Sequence, residues 1–158
     1  MSGSYVWLKW LHVLAACSYV GGSLANGLLK ALADRAQSAE ASAALLRAAV
    51  WNDWLLLAVP SVVLPATGIA MARLAGLSLV SGWVAQGIVL FVLLSVALVC
   101  GMRLEHRLER LAREAASRGE PLPQAYRALA LPYAGLGLVA TLAILATLFV
   151  MVAKRTLV

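Results

Sequence analysis

LVSGWVAQGIVLFVLLSVALVCGM, residues 79–102, contains no charged side chain and is longer than the roughly 20 helical residues that cross a bilayer's hydrocarbon core. Three further stretches share this character: Tyr5 to Leu29, Trp54 to Leu74 and Leu129 to Ala153. Together they predict an all-α, four-transmembrane-helix bundle. The composition agrees: 63% of residues are hydrophobic and 13% charged, whereas soluble domains average about 45–50% and about 25%. With no Pro/Ser/Gly-rich linker or low-complexity tract, residues 1–158 form a single integral membrane domain.

The opening stretch is too long for a signal-peptide core and is interrupted by Lys9, His12 and Asn26, so it is expected to stay in the mature protein. Cys17 and Cys100 both fall inside spans, where a thiol acts as a small apolar filler, and they form no redox motif.

The net charge of +6 is informative through its placement. Lys30, Arg35 and Arg47 surround the first connection, and Arg103, Arg107, Arg110, Arg113, Arg118 and Arg127 occupy the third. Lys9, Arg73, Lys154 and Arg155 lie on the other side. The positive-inside rule then puts the first and third connections in the cytoplasm and both termini outside, as in a bacterial-type inner (plasma) membrane. This distribution reports orientation and lipid contact, so a nucleic-acid partner is not expected.

Pro60 and Pro65 predict a kinked second helix, and the Ala75–Ser78 connection predicts a tight hairpin that makes helices two and three antiparallel neighbours. Beyond Met102 the third helix continues as a cytoplasmic amphipathic extension, RLEHRLERLAREAAS, with Leu104, Leu108 and Leu111 on one face. Glu109 precedes Arg113 by four residues, the spacing of a helical ion pair. Gly119, Pro121 and Pro123 end this arm, which can lie on headgroups, dock on its own bundle or pair with a partner helix.

Chemistry concentrates in the first helix. Lys9, His12, Ala16, Tyr19, Ser23, Asn26 and Lys30 recur at alternating steps of three and four, which aligns them in one stripe. Polar groups are costly in lipid, so the stripe should face the bundle interior, while Gly21, Gly22, Ala25 and Gly27 leave room for a close helix or a planar ligand. His12 can be an axial haem ligand, a proton relay or a structural group bonded to a facing side chain such as Gln86. Lys9, one turn outward, can meet a carboxylate such as a haem propionate. Tyr19, Gln86 and Trp83 complete the expected lining of a central cavity.

His106, the other histidine, lies on the opposite side, so a bis-histidine haem and a multi-histidine copper or zinc site are both excluded. Any metal would rest on His12. Near the cytoplasmic edge, Lys30 and Asp53 are candidates for an interhelical ion pair.

WLKWLHVLAA at residues 7–16 with Gly21-Gly22, KALADR at 30–35, NDW at 52–54, Pro65 with Thr67-Gly68, and PLPQAYR at 121–127 resemble the family of predicted integral membrane proteins known as domain of unknown function 2269. That resemblance covers essentially the whole chain and implies four membrane helices. More distantly, Trp7, Lys9 and His12 resemble the first helix of the HemJ-type membrane protoporphyrinogen oxidase and of copper resistance protein D, which would associate His12 with haem b. The oxidase family continues with a proline-arginine segment and another histidine, where this chain reads NGLLKALADR.

Three functions follow as expectations. The leading one is a non-enzymatic subunit or accessory protein that binds one haem b through His12, with other membrane subunits or a second copy as partners. The second is a membrane oxidoreductase acting on a porphyrin or quinone-like substrate; no catalytic residue is assigned. The third is a structural assembly protein without cofactor.

Overall fold

The structure is a computed structural model and describes residues 3–155. Five α-helices, and no strand among the described residues, run in the order α1 (Gly3–Arg35), α2 (Ala39–Asn52), α3 (Val59–Leu74), α4 (Gly82–Arg118) and α5 (Gln124–Ala153). A π-helical segment, Asp53–Ala58, joins α2 to α3 without a break.

By length and composition three helical stretches can cross a membrane, not the four expected: Ala39–Leu74, Gly82–Arg118 and Gln124–Ala153. Helix α1 is long enough at 33 residues, but its stripe of polar side chains lowers its average apolarity. Large hydrophobic side chains on the other helices point outward, among them Val62 on α3, Val92 and Val96 on α4, and Leu138, Leu142 and Phe149 on α5.

The chain reverses between α1 and α2 where Ser38 caps α2, its hydroxyl accepting from the Ala41 amide at 3.1 Å. Ser42 Oγ then donates back to the Ala33 carbonyl at 2.9 Å, tying the new helix to the old one. Pro60 cannot supply an amide to the helical ladder, and the wider π turn stands just before it. Pro60 thus falls in the first turn of α3, just past this slipped hydrogen-bond register, and Pro65 lies inside α3. In this register Asp53 and Leu57 are both buried.

Helix α4 ends where Gly119 adopts a left-handed conformation (φ 66°), with the Glu120 amide bonded to the Ala115 carbonyl at 3.0 Å. Its extension docks on its own bundle, packing against α2 and the start of α5. The buried face is Glu105, Leu108, Ala112 and Ala115, so Leu104 and Leu111 are only half-buried. The Glu109–Arg113 ion pair forms at 3.6 Å. Helix α4 barely touches α3, which corrects the picture of a tight α3–α4 hairpin; its main neighbours are α5 and α2.

Two apolar clusters hold the bundle. Tyr19, Leu57, Leu94 and Ile144 form one, and Ala33, Leu46, Leu108, Ala112 and Tyr126 form the other at the end rich in arginine. Cys17 and Cys100 are exposed, so neither fills the core as expected; both lie on the outer surface.

Candidate functional site

Between the two apolar clusters lies a buried polar network. Helix α1 supplies it through Asn26 and Lys30, and these two are buried along with Tyr19 above them, so the inner face of its lower half is the one the stripe predicts. Asn26 is the hub: its Nδ2 donates to Asp53 Oδ1, and its Oδ1 accepts from Asn52 Nδ2 at 2.6 Å. Asn52 Nδ2 also reaches the Gly22 carbonyl at 2.8 Å. Gly22 permits this approach, since a Cβ there would meet Leu56 and Leu57 at less than van der Waals distance.

The expected Lys30–Asp53 ion pair is not made. Lys30 Nζ bonds both oxygens of Asp34, one turn along its own helix, and Asp53 takes the Asn26 amide. An i,i+4 partner needs no helix-to-helix reach. The Lys30 ammonium also lies over the Tyr126 and Tyr133 rings, 5.5 and 5.7 Å from their centroids. Tyr126 Oη donates to Asp34 Oδ1 at 2.9 Å.

Glu105 completes the network from α4. It is 1% exposed, its Oε2 accepts from Tyr133 Oη, and its Oε1 is buried with no hydrogen-bond partner. The Glu105 carboxyl also lies beside that of Asp53, close enough for the two to share a proton rather than both stand charged. Asp34 thus bonds the Lys30 ammonium directly and Glu105 lies within its field, while Asp53 is held by Asn26. An unsatisfied buried oxygen costs roughly 1–3 kcal/mol, so Glu105 has capacity for one more donor.

These groups form the floor of a cavity of about 340 Å³ between α1, α4 and α5. Its walls are apolar, with Leu57, Leu94, Leu98, Leu136 and Ile144 above the polar floor. Of the side chains expected to line a cavity, Tyr19 does so, in tilted contact with Phe91. Lys9, His12, Trp83 and Gln86 are not among its walls. Lys9 is exposed, and Gln86 is half-buried on α4.

His12 sits against α3 instead, with its Nδ1 2.8 Å from Thr67 Oγ1. The Thr67 hydroxyl also lies 2.7 Å from the Val63 carbonyl, so it ties the imidazole to the backbone of its own helix. The imidazole lies over Gly68, where a Cβ would come within 3.2 Å of Cε1. Thr67 and Gly68 were visible as a Thr-Gly pair but gave no sign of this role.

Glu105, Asp34, Tyr126 and Tyr133 join the site without a motif in the sequence that marks them. Glu105 left one trace: it stands three before Leu108 and seven before Ala112, in line with the buried face. Among the described residues no group of three or more His, Cys, Asp or Glu is arranged to hold a metal ion.

Long outward-facing apolar helices around a buried polar network define an integral membrane protein of the all-helical class. The chain belongs to the family described as predicted integral membrane protein (DUF2269), whose model matches residues 6–155. Comparisons with curated proteins and with solved structures returned no match.

Proposed function

We propose that this protein crosses a bacterial-type inner membrane four times and serves as a non-enzymatic subunit or accessory protein that holds an amphipathic small molecule in the cleft between α1, α4 and α5. In this reading α1 is the fourth span. At about 1.5 Å per residue its 33 residues reach about 50 Å. Its buried polar groups turn inward, while Trp7, Trp10, Val13, Leu14, Leu24 and Leu28 are exposed and suited to lipid. The arginines of the α4 extension and the α1–α2 region support a cytoplasmic position for that end.

The observation that carries the reading is the Glu105 carboxyl, buried at the floor of an apolar-walled cavity with Oε1 reached by no donor beyond a proton shared with Asp53. Such a site suits a molecule with a hydrogen-bond-donating head and an apolar body. Solvent extraction of the purified protein followed by mass spectrometry tests this. The wild type should release one co-purifying compound, and Glu105→Gln should release several-fold less. An empty wild type, with Glu105→Leu more stable than wild type, would reduce the network to a structural role.

A second reading has one observation in its favour. Because Nδ1 of His12 is engaged by Thr67, Nε2 would be the nitrogen to ligate iron, the arrangement that orients axial histidines. His12 would hold haem b, which supplies one-electron chemistry when bound, with Lys9 as partner for a propionate. Such a haem would lie apart from the cavity over Glu105, so the two readings separate cleanly. A Soret band lost in His12→Ala supports it, and turnover of a porphyrinogen would add the oxidoreductase role. A colourless preparation that carries no small molecule and copurifies with another membrane subunit would leave assembly as the role.

A further inference from the structure

A second groove lies on the outside of the arginine-rich end, between α2 and α4. It has a volume of about 500 Å³ and is walled by Arg47, Val50, Trp51, Trp54, Glu109 and Arg113. Arg47, Trp51 and Trp54 follow one another at steps of four and three, so a cation and two indoles lie along one face of the Ala39–Leu74 stretch. Both indoles are largely exposed, Trp51 at 61% and Trp54 at 54%. On the α4 wall, Glu109 is the inner member of the pair with Arg113: its side chain is 14% exposed against 65% for the arginine. The carboxylate therefore holds the Arg113 guanidinium at the rim. Arg47 makes no ion pair among the described residues.

Two guanidinium groups facing one carboxylate leave the groove with a net positive charge. Guanidinium forks match the oxygens of a phosphate, and tryptophan side chains favour the headgroup level of a bilayer. Below the indoles, Leu55, Val59 and Val62 are exposed along the same helical stretch and offer a track for an acyl chain. We propose that this groove binds the phosphate of an anionic phospholipid, clamped between Arg47 and Arg113 with its glycerol backbone against Trp51 and Trp54. This site is distinct in place and ligand from the cavity over Glu105, and neither proposal depends on the other.

Native mass spectrometry of the detergent-purified full chain, with added phosphatidylglycerol or phosphatidylcholine, tests the proposal. The wild type should retain phosphatidylglycerol in preference to phosphatidylcholine. Arg47→Ala with Arg113→Ala should lower that retention by about 25-fold, taking roughly 5-fold for each arginine at a membrane surface. Arg110→Ala with Arg118→Ala removes the same charge from exposed sites elsewhere on α4 and should keep most of the preference. An equal loss in both double variants would overturn the site, because the attraction would then be diffuse. Displacement of the lipid by millimolar inorganic phosphate would also overturn it, in favour of a soluble phosphate ligand. A thermal melt of each variant that matches the wild type excludes misfolding as the cause.

Discussion

Gly22→Ala probes how α1 is seated on the π segment. A Cβ added there would stand 2.7 Å from Leu56 Cβ, 2.8 Å from Leu57 Cδ1 and 3.1 Å from the Leu56 carbonyl oxygen. Leu56 Cβ and its carbonyl move only with the backbone, so the two helices must part. Overpacking of this kind costs about 1–3 kcal/mol. Separation also stretches the bond from Asn52 Nδ2 to the Gly22 carbonyl, worth about 1 kcal/mol. Alanine regains up to about 1 kcal/mol in helix propensity, leaving a net loss of about 1–3 kcal/mol. Gly21 and Gly27 are internal controls, because a Cβ at either meets nothing within 4 Å. Gly21→Ala and Gly27→Ala should be neutral or slightly stabilising. Reversible unfolding in mixed detergent micelles, followed by circular dichroism, reads all three. If Gly22→Ala unfolds together with Gly21→Ala, the close seating of α1 against Leu56 is wrong.

Asn26→Ala removes the donor to Asp53 and the acceptor for Asn52 together, and in the same unfolding assay should cost about 2–3 kcal/mol; a loss within experimental error of zero would mean the hub is not formed. His12→Ala and Thr67→Val should be coupled by about 0.5–1.5 kcal/mol in a double-mutant cycle, whereas strict additivity would show that the two side chains do not meet. Cys17 and Cys100 are exposed on α1 and α4. In proteoliposomes both should react with a lipid-soluble maleimide and resist a charged, membrane-impermeant one. Reaction of Cys17 with the charged reagent would remove α1 from the bilayer.

The inward face of α1 was legible because helical periodicity is local: side chains at steps of three and four share a face whatever surrounds them. Tyr19, Asn26 and Lys30 accordingly lie inside. Their partners were not legible. Lys30 turned to Asp34 rather than Asp53 because four residues along one helix is a shorter reach than a gap between two. Glu105 was hidden in an arginine-rich run that reads as a solvated face, and it is the packing of α2 and α5 over α4 that buries it. The π segment also escaped notice, since a slip of one hydrogen bond leaves no mark on composition. The span count differs for a related reason: averaged apolarity penalises α1 for polar side chains that its neighbours cover.

A carboxyl held out of water at the base of a cleft between α1, α4 and α5 is the centre of the proposed site. An experimental density map of the protein in lipid nanodiscs, at a resolution that shows side chains, tests it most directly. The account predicts Glu105 turned inward beside Tyr133, with additional density in the cleft within hydrogen-bonding distance of Oε1. A Glu105 side chain directed into solvent, or α1 and α5 closed together over an empty floor, would contradict it.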